Sequence, residues 1–376
     1  MNILERTEQY FASTRWNQSK LKELNKSLYK YLAYMKKQKE RANSFITDQV
    51  HNRLGSAADL LLCGGAKAFD QVYHVAAKQE NAPSPAAQNV MHYAKKAILE
   101  LEDPSHKWHT LGGSTTNAFL YMLSSDLNDL WKEAMDHANK DGKYYGHVKD
   151  WTKRKNKIKA FEAYWVELWE AQGKEILSAS EMGTISKIKQ SFLDWPEYTQ
   201  YLDTSRYKML TQYPIYFSMQ GQQLKVLLDF LILDIQTRKV YIRDLKSTSK
   251  PFSSFFYQIF DYGYDFQAAT YSLAVLDLIK QKNEKLGEGE LQWEFGGYAL
   301  WVESTISPAN PSPMMVEIPK EVLNEASTKL VSALNKLEWY QQTDFQVDYD
   351  KARMCKYGIT LNPDGDGYKI RTDISQ

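Results

Sequence analysis

A change of hydrophobic period near residue 213 constrains the fold of this 376-residue chain more than any other feature. Before it, apolar residues recur mainly at spacings of three and four, which is typical of amphipathic helices. After it, segments rich in Val, Ile, Leu, Phe and Tyr alternate as strands do. The strand-like segments are 213–219, 224–233, 239–247 and 293–303, and helical spacing returns at 262–283 and 319–340. This order predicts an α/β fold with a mixed central sheet flanked by helices.

Composition excludes several classes of protein. Hydrophobic residues make up 43% of the chain, which argues against wholesale disorder. No apolar run approaches the roughly 20 residues of a membrane span, and the polar N-terminus does not resemble a signal peptide, so we expect a soluble intracellular protein. Two cysteines, Cys63 and Cys355, cannot build a disulfide framework or a four-cysteine metal site.

The stretch 227–248 carries the most informative charges. Asp229 lies among apolar residues of the first strand, where a charge is costly to bury unless it is paired or binds a metal. The chain turns around Asp234–Lys239 into a second strand, in which Asp244 and Lys246 are two residues apart and therefore share a face.

This pattern suits phosphodiester hydrolysis. Two carboxylates, Asp229 and Asp244, can hold Mg²⁺ or Mn²⁺ through hard oxygen ligands, with the backbone carbonyl of Leu245 as a third. The metal lowers the pKa of a bound water, and Lys246 can orient that water and stabilise developing charge. The alternative is structural: Asp244 and Lys246 form a strand-end ion pair, and Asp229 marks a turn.

Three further residues are candidates for the same site. Gln267 and Tyr271 are four apart on the helix at 262–283 and share one face, although an ordinary polar stripe explains them as well. Asp59 interrupts a run of Ala and Leu residues in an early helix. It is either a metal ligand or a solvent-facing aspartate.

Basic residues are concentrated in two segments, although the whole chain has a net charge of only +1. Residues 1–50 and 141–160 are each +5. The first is either a solvated amphipathic helix or a helix that faces DNA or a partner. The second interleaves Lys153, Arg154, Lys155 and Lys157 with aromatic residues, as expected of a nucleic-acid contact, or it is a solvated loop.

Taken together, these segments resemble the PD-(D/E)XK nuclease superfamily, and within it the exonuclease VIII-like, phage recombination-type (RecB-type) branch. The likeness rests on motifs in the order and spacing of that branch. The matching segments are Gly55–Leu62, Gly173–Ser178, Val226–Asp229, Asp244–Thr248, Tyr264–Tyr271 and Leu300–Glu303. The trio Asp229, Asp244 and Lys246 is intact, which predicts an active enzyme.

The chain also departs from the family pattern. Asp59 stands where the family has a metal-binding histidine, and Val226 replaces a glycine. Gln212 occupies a position that often carries a glutamate, and its neutral amide is a weaker metal ligand. Iron–sulfur relatives need four cysteines, so that branch is excluded.

The resemblance implies a restriction-endonuclease-like core with an added helical N-terminal region. We expect an N-terminal helical segment at 1–50, a nuclease domain at 51–345 with a helical, basic insertion at about 80–160, and a C-terminal tail at 346–376. The implied activity is a Mg²⁺- or Mn²⁺-dependent exonuclease on double-stranded DNA ends in phage-type recombination or replication. In addition to the basic segment, Ser247 and Thr248 are expected to contact DNA.

The implied partners are DNA, a single-strand annealing protein and further copies of the chain, without a membrane. The implied location is the cytoplasm of a bacterial or phage-infected cell. Two alternatives remain open: an endonuclease of the same fold in defence or packaging, and a non-catalytic DNA-binding or virion-associated protein.

Overall fold

The architecture is taken from a computed structural model. It describes residues 2–42, 50–77, 83, 85–100, 132, 136, 153, 160, 162–248, 250–304, 313–345, 349, 359–361 and 368–370. The chain divides into two compact units, one formed by Met1–Lys39 with Ser191–Gln376 and the other by Glu40–Gln190. The expected boundaries at residues 50 and 345 stay a prediction.

Helices and strands are numbered in chain order over the described residues. The helices are α1 (Ile3–Ala12), α2 (Gln18–Lys26), α3 (Leu28–Ala42), α4 (Val50–Cys63), α5 (Gly65–Val72), α6 (Pro85–Glu100), α7 (Glu162–Glu170), α8 (Ala179–Leu193), α9 (Pro196–Thr199), α10 (Phe252–Asp261), α11 (Tyr264–Asn283) and α12 (Lys320–Gln342). The strands are β1 (Tyr73–Val75), β2 (Glu175–Leu177), β3 (Tyr207–Met219), β4 (Gln222–Asp234), β5 (Lys239–Thr248), β6 (Glu294–Ser304), β7 (Met314–Ile318), β8 (Ile359–Leu361) and β9 (Tyr368–Ile370).

A five-stranded sheet in the order β3-β4-β5-β6-β7 forms the centre of the first unit. Strands β5 and β6 are parallel and the other neighbours are antiparallel, so the sheet is mixed, as predicted. The turn between β4 and β5 is held by Asp234, whose carboxylate accepts the backbone N–H groups of Gln236 and Thr237 at 3.0 Å each. Arg238 in this turn has φ of 57°, the left-handed conformation of tight hairpins.

Both faces of this sheet are covered. Helices α2, α11 and α12 contribute apolar side chains to the core on one face, among them Leu21, Ala274 and Leu330. On strands β4 and β6, Phe230 and Trp301 belong to an aromatic cluster with ring centroids 5.2 Å apart. Further rings of this cluster come from the segment that precedes β3, and they are Phe192, Trp195, Tyr198 and Tyr201.

The N-terminal helices are part of the core of the first unit. Leu21 and Leu24 on α2 are fully buried, and buried Lys225 of β4 donates from its Nζ to the carbonyl of Ser13 at 2.8 Å. Helix α2 is thus amphipathic, and its apolar face is part of the core. Its leucine spacing signalled a packed face, and the sheet supplies the surface against which that face packs.

The second unit combines helices with a short parallel pair of strands, β1 and β2. Helix α8 begins at Ala179 with a capping box, because Ser178 Oγ accepts the N–H of Glu181 at 3.3 Å and the Glu181 carboxylate accepts the N–H of Ser178 at 2.8 Å. Residues 55–75 form the end of α4, then α5 and β1.

No helix among the described residues is long and apolar enough to cross a membrane.

Candidate active site

The two aspartates predicted to share a metal lie where β4 and β5 separate. Paired positions run from Asp234 opposite Lys239 to Phe230 opposite Arg243, and the ladder then ends. The next positions in the same register are Asp229 and Asp244. Opposite residues of antiparallel strands have their Cβ atoms within about 5.5 Å and project from the same face. The register therefore brings the two carboxylates together at the point where the strands open.

A hydrogen bond fixes Asp229 against β5. Its Oδ2 accepts the backbone N–H of Leu245 at 2.9 Å, in place of the strand ladder that has ended. Its Oδ1 accepts a hydrogen bond from Gln212 Nε2 at 3.2 Å. Asp229 is half-buried, so its carboxylate is held in position and still reachable.

Lys246 lies beside these carboxylates. Its ammonium forms an ion pair with Asp244 Oδ2 and lies 3.4 Å from the carbonyl oxygen of Leu245. Burial disfavours the charged lysine, but the carboxylates of Asp244 and Asp229 outweigh burial and raise the pKa of Lys246 above its ordinary value. The lysine is thus held as an ammonium group.

Helix α11 supplies the other two predicted residues. Gln267 Nε2 donates to Asp244 Oδ1 at 3.0 Å, so the amide fixes the orientation of the aspartate. Tyr271, one turn later, is buried, and burial followed by the nearby carboxylate of Asp244 raises the pKa of its hydroxyl well above the usual value. Tyr271 is therefore a neutral group at this site.

Three further residues lie around the site. Gln212, whose amide was interpreted as a weaker metal ligand, donates to Asp229 from a left-handed backbone conformation with φ of 44°. Gln18 Nε2 lies 3.5 Å from the Tyr271 hydroxyl. Tyr298 on β6 is buried, and burial followed by the Asp244 carboxylate raises the pKa of its hydroxyl well above the usual value. No local pattern marks Gln18 or Tyr298, and neither was predicted from the sequence.

Asp59 lies on α4 in the second unit. It is half-buried, and its Oδ1 accepts a hydrogen bond from Cys63 Sγ at 3.0 Å, one helical turn away. Its assignment as a metal ligand stays a prediction.

The residues predicted to contact DNA differ in exposure. Lys153 and Ser247 are exposed, whereas Thr248 is buried and accepts the N–H of Lys250 at 3.1 Å through its Oγ1. The other predicted DNA contacts, Arg154, Lys155 and Lys157, lie outside the described residues.

A second group of metal-ligand types lies in the second unit. His74 on β1 and Glu167 and Glu170 on α7 have ligand atoms within 4.8 Å of one another. His74 Nε2 lies 2.8 Å from the carboxylate of Glu167, which is fully buried, while Glu170 is exposed. An imidazole with two carboxylates is a donor set for a divalent metal ion. The sequence offered no H-x-x-x-H or H-E-x-x-H spacing that would have revealed it.

The donors of the first unit fit a hard divalent cation. They are the carboxylates of Asp229 and Asp244 and the carbonyl of Leu245, all oxygen ligands. Asp244 Oδ2 is buried and forms the ion pair with Lys246, and the Tyr298 hydroxyl also interacts with this carboxylate. Buried carboxylates are paired or coordinate metals, which is consistent with a cation at this position.

Comparison with protein-family models and with curated proteins gave no match. Among solved structures, the chain is similar to the crystal structure of a "putative exonuclease" from Eubacterium rectale. The TM-score is 0.31 and the identity 12%, over 75% of this chain and 85% of the other. At this level of similarity the neighbour's activity does not transfer to this chain.

Proposed function

We propose that the protein is a divalent-metal-dependent DNA nuclease that acts as an exonuclease on double-stranded ends in phage-type recombination or replication. The observation that carries the proposal is the convergence of Asp229, Asp244 and Lys246 where strands β4 and β5 separate. The PD-(D/E)XK motif order in the sequence supports the choice of DNA as substrate. A single-strand annealing protein and further copies of the chain are the proposed partners.

Each residue has a distinct task in this proposal. Asp229, Asp244 and the carbonyl of Leu245 hold the cation, which when bound supplies Lewis-acid stabilisation of the phosphate and a more acidic water. Lys246 keeps its proton, orients the attacking water and stabilises the charge that develops on the phosphate. Gln267 keeps Asp244 in a single orientation through its hydrogen bond.

We assign the catalytic Mg²⁺ to the aspartates of the first unit and not to the His74 cluster. Mg²⁺ prefers oxygen ligands, which Asp229, Asp244 and Leu245 supply without nitrogen. Imidazole suits Zn²⁺ and other transition metals better. Mn²⁺ is the alternative ion for the first site because it accepts the same oxygen donors.

Hydrolysis of linear duplex DNA in Mg²⁺ tests the proposal. Asp244→Asn and Lys246→Ala should each reduce the rate by about 10²-fold or more, because each removes charge stabilisation of the transition state. Lys239→Ala is a matched control, since Lys239 is an exposed lysine on the same strand. Wild-type rates in Asp244→Asn and Lys246→Ala, with folding verified by circular dichroism, would refute the catalytic assignment.

Substrate form distinguishes exonuclease from endonuclease. Progressive loss of label from the ends of a linear duplex, with closed circles left intact, is expected. Nicking of closed circular DNA would instead support the endonuclease alternative. DNA binding without any metal-dependent cleavage would support the non-catalytic alternative.

A further inference from the structure

Helix α10, which follows β5 closely, is apolar on two faces. Phe252, Phe255 and Ile259 are buried and anchor the helix to the first unit. Its other face carries exposed aromatic side chains, here called the aromatic platform: Phe256 (46% exposed), Tyr257 (77%), Phe260 (59%) and, just beyond the helix, Tyr262 (48%). A concentrated exposed aromatic patch of this kind is typical of an interaction surface.

The aromatic platform is continuous with the candidate active site. The ring of Tyr262 lies 5.9 Å from that of Tyr264 in an edge-to-face arrangement. The Lys246 ammonium in turn lies 5.1 Å from the centre of the Tyr264 ring. One aromatic ring therefore separates the exposed platform from the lysine proposed to assist hydrolysis.

Two lysines lie beside the platform. Lys22 Nζ donates to the carbonyl of Tyr262 at 2.8 Å, and exposed Lys250 precedes the helix by two residues. Asp261 is the acidic residue of α10 itself. The rings can stack flat bases and the lysines attract phosphates, a combination typical of single-stranded nucleic-acid binding.

Gly263 fixes the platform relative to the candidate active site. It joins α10 to α11 with φ of 68°, and a Cβ at this position would lie 2.6 Å from Cδ of Lys22. Glycine adopts this backbone conformation without strain and leaves room for the lysine stem. The turn therefore holds Tyr262 next to Tyr264 and the platform next to Lys246.

We propose that the aromatic platform stacks the unpaired bases of a single DNA strand beside the candidate active site. Stacking on exposed Tyr and Phe rings tolerates any base sequence, as a nuclease that travels along a strand requires. The link to hydrolysis rests on the proposed nuclease function, but binding of single-stranded DNA by the platform does not. The two ideas can therefore fail separately.

Binding of a fluorescent oligothymidylate of about 12 nucleotides, measured by anisotropy in EDTA, tests the platform without hydrolysis. The full-length double variant Tyr257→Ala/Phe260→Ala should bind at least about tenfold more weakly, because two stacking rings are lost. Tyr257→Phe should bind as wild type does, since the ring is kept. Tyr29→Ala is the matched control, because Tyr29 is also 77% exposed and lies in the first unit, on α3.

An abasic strand of the same length identifies what the platform binds. Wild type and the double variant should bind it equally, since it has no bases to stack. Equal binding of oligothymidylate by both proteins would overturn the proposal, as would an equal loss in Tyr29→Ala or on the abasic strand. So would a wild-type dimer that the double variant converts to monomer, because the platform would then be a contact between copies of the chain.

Discussion

At the scale of single residues, the candidate site residues that the sequence revealed are charged side chains within otherwise apolar segments. Asp229 and Asp244 are acids in apolar strands, and such charges are rare unless they are paired or functional. Contacts with distant parts of the chain were not predicted. Gln212 on β3 donates to Asp229, and Gln18 on α2 lies next to the Tyr271 hydroxyl. Such contacts depend on strand register and helix packing, which no local pattern encodes.

Gln267 provides a residue-scale prediction about positioning. Replacing it by Met keeps the size of the side chain and removes the N–H that donates to Asp244 Oδ1. We expect nuclease activity to fall by about 10-fold to 100-fold, as is typical when a partner of a metal ligand is lost. The Mg²⁺ concentration needed for half-maximal activity should rise, which a purely structural loss would not cause.

Gln281→Met is the control for this prediction. Gln281 lies on the same helix and also donates to a carboxylate, that of Asp277 at 2.8 Å, but on the exposed surface. Its variant should keep wild-type activity and Mg²⁺ dependence. If both Met variants showed the same Mg²⁺ dependence as wild type, Gln267 would have no role in positioning Asp244.

At the scale of elements, the period of the apolar residues predicted strands β3 to β6 and helices α11 and α12. The ends were less well predicted, because pairing extends strands past their apolar segments. Strand β3 was expected from 213 but begins at Tyr207, which pairs with Asp234 at the far end of β4. The first residues of β3 are thus strand because β4 is present beside them.

Helices α6 and α7 are joined by a contact that depends on pH. His92 Nε2 lies 3.5 Å from the Tyr164 hydroxyl, and Lys95 donates to the carbonyl of Leu168 at 2.7 Å. Burial, with a smaller effect of the Lys95 charge, lowers the pKa of His92 to about 4. The folded protein therefore holds this histidine neutral at a pH where the unfolded chain protonates it.

We expect the second unit to lose stability on acidification for this reason. Between about pH 6.5 and pH 4 the unfolded chain binds one more proton at His92 than the folded chain, so stability is fully present above this range and falls as the pH falls through it. The loss is on the order of 3 kcal/mol for a shift of this size. Hydrogen exchange of α6 and α7 at pH 7 and pH 4.5 measures it.

His92→Gln tests the origin of this loss, because glutamine does not titrate. The variant should be less stable than wild type at pH 7, where a packed imidazole contact is removed, and should lose less stability on acidification. An unchanged difference between pH 7 and pH 4.5 would assign the acid sensitivity to other groups.

At the scale of the whole molecule, charge is distributed unevenly along the chain, although the net charge is close to zero. A net charge of +1 combines two basic segments with a remainder that is acidic, and that remainder includes the buried carboxylate of Asp244.

The mixed α/β architecture was predictable because the spacing of apolar residues distinguishes helices from strands. The division into units was not, because the order of segments along the chain does not reveal that the first 39 residues join the sheet unit.

The salt dependence of DNA binding tests whether the segment 141–160 is the basic surface that contacts DNA. If each of Lys153, Arg154, Lys155 and Lys157 neutralises one phosphate, changing all four to Ala should reduce the slope of log K against log salt by about 3 to 4. A control with the same total charge replaces exposed lysines elsewhere, namely Lys239, Lys280, Lys282 and Lys285. The control should leave the slope nearly unchanged, since phosphate contacts release counterions and distant charges do not. Equal slopes for the two quadruple variants would show that net charge alone determines binding and that this segment makes no specific contact with the DNA backbone.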